Sequence, residues 1–432
     1  MSQRVSLQGP RALAGLLTLF SYHGVIIGVC TASIALIRDR LGLDTIQIAG
    51  LFVTIGVVAV TTMQFAARIT DKYGARWVCL VMILPLMAAA TGYGLASTFG
   101  LLLVAGALLG MGNAGLDVSM NSLAVQVERH RLHPTPDSVA EKKGPIMSFL
   151  HGIWAIGAFL GSLGVSLTGT AGGLSPLQTL RVSTAAAAGL GIIIWVVAFI
   201  VVPQTEPIIH TTSTGEKTPI PRAAFLMGIM ALCFGIGGSS TWTGPHVQTV
   251  AHVDPRTAVW AVTAVTACQV IVRLSGDRLV TLFGRRAVIR TGGVIASIGF
   301  LTAAFATPFP VLIAAWAMVG LGTGVIAPQV YASAGHLGGA RCLAVVASFS
   351  QMAFLIGPAI IGVLAHFTGL GHAMVLPGLL LIVAVTLVGI AIKNDYSQTP
   401  GTPKTPPPVI LPQAGPPEAA VKSQDRQSGP SP

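Results

Sequence analysis

Long apolar stretches alternate with short polar ones along almost the whole chain. Twelve apolar runs, each about 20 residues or longer, are long enough to cross a hydrocarbon core as helices. They fall near 12–36, 48–67, 77–97, 99–124, 145–169, 181–202, 222–245, 256–274, 287–306, 309–331, 342–365 and 372–392. The pattern predicts an all-α membrane protein with 12 transmembrane helices. Pro203–Pro221 is polar, rich in Thr and Pro, and splits the chain into six runs plus six. From Lys393 onward the sequence is Pro-rich with almost no apolar residues, too little apolar surface to fold. The expected organisation is a six-helix bundle at 1–202, a cytoplasmic linker at 203–221, a second six-helix bundle at 222–393 and a disordered tail at 394–432.

Charge sharpens this picture. Only 9% of residues are charged and 53% are hydrophobic, against about 25% charged in soluble domains. The net charge of +11 does not mark a nucleic-acid binder, because the basic residues report topology. All but Arg38, Arg40, Arg181 and Arg256 of the 25 Lys and Arg lie in the termini and in alternate loops. The positive-inside rule then puts both termini in the cytoplasm of a multi-pass protein of the bacterial inner membrane. The 51 glycines suit close helix approach in a bilayer. The five cysteines sit in separate apolar runs with no metal or disulfide spacing. The first run follows a basic tip, lacks a cleavage site and reads as a membrane helix rather than a signal.

The two halves repeat. Arg68-Ile-Thr-Asp71-Lys72-Tyr-Gly74-Ala-Arg76 follows the second run, and Arg273-Leu-Ser-Gly276-Asp277-Arg278 through Gly284-Arg285-Arg286 follows the eighth. Gly74 and Gly284 stand 210 positions apart, as do Gly110-x-Gly112-Asn113 and Gly320-x-Gly322-Thr323. Ser148-Phe149 and Gly157 recur as Ser348-Phe349 and Gly357. Internal repeats of this kind mark transporters with a substrate site between the halves. The duplicated loop resembles the signature loop of the major facilitator superfamily. The resemblance covers the chain up to Lys393 and implies that Asp71, Arg76, Asp277, Arg278 and Arg286 form conformational loops that pair and break during a cycle. In the first copy Ala67 replaces the usual Gly.

A narrower resemblance rests on Gly115-Leu-Asp117-Val-Ser-Met-Asn121, Ser148-Phe149-Leu-His151-Gly152-Ile-Trp154-Ala-Ile-Gly157, Arg273…Gly276-Asp277-Arg278-Leu279 and Ile356-Gly357-Pro358. These segments are similar to a bacterial subgroup near the fucose-permease-type symporters. Two departures stand out. The subgroup's acidic pair near the end of helix seven is replaced by Ile236-Gly-Gly-Ser239-Ser240-Thr241-Trp242-Thr243. An Arg usual late in helix one is absent, with Ser33 near its place.

Asn113, Asp117 and Asn121 recur every four residues, on one face of the fourth helix. Asp117 is the one carboxylate deep in apolar sequence, a position that usually faces a cavity or partner. From helix rise, Asp117 and His151 lie about 10 and 9 Å above the inner end, and His23 about 18 Å. Burial favours a neutral carboxyl and a nearby imidazolium favours the carboxylate. Asp117 with His151 is therefore expected to couple transport to protons. The alternative is a lock, with Asp117 bonded to Asn113, Asn121 or backbone. His23, Asn113, Asn121 and Trp154 are candidate substrate contacts, with interhelical bonding the alternative for His23 and packing for Trp154. The seventh run ends in glycines, hydroxyls and Pro245, which predicts a broken helix with Thr241 and Trp242 at the solute, against Trp242 as an interface anchor. Repeat symmetry adds Thr323, Gln329 and Tyr331 opposite the fourth helix.

No nucleotide loop, zinc motif or nucleophile elbow is present, so an enzyme is not expected. Neither is a cofactor or a metal. The reading is a monomeric secondary transporter in the lipid bilayer that moves a small-molecule substrate with protons by alternating access. An efflux carrier and a non-transporting sensor remain as alternatives.

Overall fold

The computed structural model describes residues 10–132, 146–204, 220–237 and 240–392. The linker residues 205–219 and the tail from 393 lie outside them, as do Ser239 and the side chain of Asp277. Twelve helical spans are long and apolar enough to cross a membrane, and the described residues contain no β-strand.

The first six spans are α1 (Pro10–Leu41), α2 (Thr45–Tyr73), α3 (Ala75–Leu95), α4 (Phe99–Leu132), α5 (Met147–Thr170) and α6 (Pro176–Val201). The seventh is broken into α7 (Arg222–Gly237), a 3-10 turn at Ser240–Trp242 and α8 (Thr243–Val250). Then follow α9 (Pro255–Phe283), α10 (Arg285–Phe305), α11 (Phe309–Thr323), α12 (Ile326–Thr368), α13 (Leu370–Ala373) and α14 (Val375–Ala391). Several helices outrun the apolar runs. α2 continues past 67 and α9 past 274, because neither stretch contains proline and each helix runs on to a positive-φ glycine, Gly74 or Gly284. The backbone stays helical across 332–341, where the hydropathy pattern predicts a loop; despite three glycines that stretch contains no proline to stop the helix.

Local chemistry fixes the starts and turns. Asp44 and Gln47 form a reciprocal capping box at α2, and Ser175 and Gln178 form one at α6. Asp254 caps α9, and hydrogen bonding from the Arg256 guanidinium holds its carboxyl below the usual carboxylate range. Gly74 at φ 86° and Gly284 at φ 79° make the turns after α2 and α9, a left-handed conformation that favours glycine.

Packing repeats between the halves. In the first, α1 packs on α5 and α6, α4 on α2 and α3, and α3 on α6. In the second, α7 packs on α12 and α14, α11 on α9 and α10, and α10 on α14. The halves meet through α5 with α9 and α2 with α12, again a matched pair. The spans pack as one compact body.

Candidate functional site

The site begins at the seam of α1 and α5. Gly24 and Gly28 lie against the backbone of Trp154 and Ala158, while Gly157 and Gly161 lie against Ser21 and Val25. A Cβ on Gly24 would stand 2.9 Å from the Ala158 nitrogen, so the approach needs glycine. This approach brings His23 beside Trp154. The Trp154 Nε1–H donates to His23 Nδ1 at 3.2 Å. An indole nitrogen only donates, so Nδ1 is the accepting nitrogen and Nε2 carries the proton. Nε2 then donates to Asn113 Oδ1 on α4 at 2.8 Å. One chain of polar contacts thus ties α5, α1 and α4, with both nitrogens of buried His23 occupied.

One turn along α4, Asn121 Nδ2 donates to Asp117 at its carbonyl (2.8 Å) and its Oδ1 (3.0 Å). That bond stays within α4. The Asn113–His23 bond, not Asp117, holds α4 to a neighbouring helix. His23, His151 and, across the halves, Tyr331 lie within electrostatic reach of Asp117. His151 packs edge-on against Phe20 with ring centres 5.6 Å apart.

Opposite this cluster lies a cavity of about 270 Å³. Its walls are largely apolar, from Ala231, Phe234, Ile326, Val330, Val346 and Phe354, with Gln269, Arg273, Thr323, Tyr331 and Ser350 as polar groups. Tyr331 and Ser350 lie together in this lining. The Arg273 guanidinium lies 5.1 Å from the centre of the Trp154 ring, and its charge also reaches His151. Sequence reading treated Arg273 as part of a topology-marking loop. The signal was available, because Arg273 lies inside the eighth apolar run, and the helix continues ten residues beyond it to Phe283.

Other predicted positions fall elsewhere. Trp242 is fully buried, donates to the Pro358 carbonyl at 3.2 Å and meets the Phe52 ring edge-on at 5.5 Å. It fills the contact between halves and does not line the cavity. Thr241 is half-buried in the 3-10 turn. Thr323 lines the cavity while its hydroxyl donates to Val319 within the helix. Gln329 accepts from Arg285 Nε at 3.0 Å, outside the cavity lining.

The loop arginines bind helix ends. Arg76 donates to the carbonyls of Val202 (2.7 Å) and Phe199 (2.6 Å), capping the end of α6. The side chains of Arg290 and of Arg286, 210 positions on from Arg76, lie beside Gly389 near the end of α14. Asp71 is half-buried and Arg278 exposed.

At the end of the bundle away from Pro10 and Ala391 the halves are bonded together. Arg38 donates to the Pro245 carbonyl at 3.1 Å and to Thr249. Gln248 donates to Asp39 at 3.3 Å, and Arg256 to the Leu174 carbonyl at 2.7 Å. Ser162 with Thr266 and Ser166 with Thr263 continue the seam along α5 and α9 at 2.9 and 2.8 Å.

Twelve membrane spans in two repeats, with polar side chains gathered around an interior cavity, define a membrane transporter rather than an enzyme. The chain belongs to the Major Facilitator Superfamily, whose family model matches residues 14–254 and 225–424. It is 26% identical over 355 residues to an uncharacterized transporter of Sinorhizobium fredii, covering 80% of this chain and 89% of that one. It is 25% identical over 379 residues to membrane protein MosC of Rhizobium meliloti, covering 85% and 86%. Among solved structures it resembles a mutant of the nucleoside transporter NupG, with a TM-score of 0.67 at 12% identity, covering 89% of this chain and 99% of that one. It also resembles the Escherichia coli fucose:proton symporter FucP, with a TM-score of 0.58 at 15% identity, covering 88% and 98%. At such identities the likeness is one of fold.

Proposed function

We propose that the protein is a secondary active transporter of the bacterial inner membrane. It moves a small organic solute by alternating access and couples that movement to protons through Asp117. The six-helix units at 1–202 and 222–393 rock about the cavity, as a monomer, with both termini in the cytoplasm. Under that orientation the bonded end, from Arg38 to Thr249, is the periplasmic gate, and the cavity belongs to an inward-facing state. The solved fucose:proton symporter is a precedent for proton coupling on this fold.

The observation that carries the coupling role is the bonding of Asp117. Among the described residues its carboxylate is held by Asn121 of its own helix alone, so the loss of its charge breaks no described hydrogen bond between helices. His23, by contrast, has both nitrogens committed to Trp154 and Asn113. Asp117 is the proton carrier, and His151 is the neighbour whose charge responds to it.

The test uses purified protein in proteoliposomes with a trapped pH indicator, challenged with separate pools of organic acids, amino acids, sugars and nucleosides. Wild type is expected to show solute-dependent proton movement above the protein-free rate. Asp117→Asn is expected to lose that movement while still exchanging the same solute across the membrane. Proton movement that survives in Asp117→Asn would overturn the coupling role.

A further inference from the structure

Several arginines at the ends of this bundle donate to carbonyl groups. Arg38 binds the Leu43 and Pro245 carbonyls, Arg40 that of Gly94, Arg76 those of Phe199 and Val202, and Arg256 that of Leu174. Arg273 differs. Its Nε is buried without a partner, as is that of Arg76, but whereas Arg76 places its two terminal nitrogens on carbonyls, Arg273 makes no hydrogen bond among the described residues. Among the described residues no acidic side chain forms an ion pair with it, while Arg256 pairs with Asp254 at 2.8 Å. A half-buried cation in a cavity wall of a membrane span, with no counter-ion among the described residues, usually marks a function.

The surroundings state what is missing. The guanidinium carbon lies over the Trp154 ring, 5.1 Å from its centre, within cation–π range. The donors of a guanidinium point outward in its plane, and a fork of this shape matches the two oxygens of a carboxylate. Arg273 lines the cavity together with Gln269 and Tyr331, whereas Phe234, Val346 and Phe354 offer apolar walls. The cavity thus pairs one positive pole with an apolar body.

We propose that Arg273 is the recognition cation for the solute, and that the solute is a small organic monocarboxylate with an apolar or aromatic body. The carboxylate docks on the edge of the guanidinium, and the body lies among Phe234, Val346 and Phe354. This assignment rests on the transporter reading above and narrows it from any small solute to an anion. A cation of the same shape is rejected by like charge, and a neutral amide forfeits the charge-assisted bonds.

Thermal unfolding of the full-length protein in detergent tests this, with benzoate, phenylacetate and hexanoate at millimolar concentration against benzamide and benzylamine. At least one carboxylate is expected to raise the melting temperature, because a ligand of the folded state stabilises it. Benzamide and benzylamine are expected to leave it unchanged. In Arg273→Gln the apparent affinity should fall about tenfold or more, and Arg273→Lys should restore part of it. Size-exclusion profiles and circular dichroism confirm that each variant folds. Stabilisation by benzamide or benzylamine alone, by none of the carboxylates, or equally in wild type and Arg273→Gln overturns the proposal. Carboxylate binding without proton-linked uptake would refute the transport reading and leave Arg273's role intact. Proton-linked uptake of a neutral solute would do the reverse.

Discussion

A single tryptophan does two jobs at this site. Trp154 donates its N–H to His23 and presents its ring to Arg273, so it orders the imidazole in the first half and the guanidinium in the second. Trp154→Phe keeps a ring and deletes the donor. His23 Nδ1 is then buried without a partner, at about 1–3 kcal/mol, and the melting temperature in detergent should fall by a few degrees. Carboxylate binding should weaken as well, since the guanidinium loses its best aromatic partner. An unchanged melting temperature would show that the Trp154–His23 bond contributes nothing. Asp117, His23, Asn113 and Trp154 were all legible in the sequence, because polar groups stand out in apolar runs. Arg273 was not recognised, because basic residues beside a signature loop read as topology. Hydropathy cannot tell a snorkelling cation from one turned into a cavity.

Glycine spacing does at the element scale what charge does at the residue scale. The four-residue steps Gly24–Gly28 and Gly157–Gly161 let α1 and α5 touch backbone to backbone. Gly24→Ala places a methyl group against the Trp154 carbonyl and should cost about 1–3 kcal/mol through overpacking. It should also separate His23 from Trp154, so the melting temperature and carboxylate binding fall together; a drop in one alone would break the link drawn between seam and site. The break in the seventh span was legible from its glycines, hydroxyls and Pro245. What Trp242 does there was not: it plugs the contact with Phe52 and Pro358. That outcome depends on how two halves meet, which no local pattern records. Gln329 likewise turned toward Arg285, since symmetry predicts a position along a helix but not which neighbour satisfies an amide.

At the scale of the whole molecule, the 210-residue repeat already announced matched packing, and the matched helix pairs follow it. Which end is sealed was not readable, because the seal consists of contacts between distant segments such as Arg38 with Pro245. The repeat also exposes an asymmetry with consequences for energy coupling. Asp117 sits in the first half and Arg273 in the second, and both charges bear on His151. Asp117 is bonded by Asn121, and His23, His151 and Tyr331 lie within its electrostatic reach. With the histidines neutral, the empty carrier holds one negative and one positive group and has no net interior charge. A bound carboxylate alone would leave a net negative charge in a low-dielectric interior, which is costly. Protonation of Asp117 removes it. Loaded and empty carriers are then both neutral, and one proton accompanies each carboxylate. Moving a net charge would add about 2.3 kcal/mol per 100 mV, so the two cases separate cleanly. Carboxylate uptake into proteoliposomes, above the protein-free rate, should rise as the solute-side pH falls. It should not change when a potassium diffusion potential is imposed with valinomycin at constant pH. A potential-dependent rate would show that a net charge crosses, and that Asp117 and Arg273 do not balance as this charge count requires.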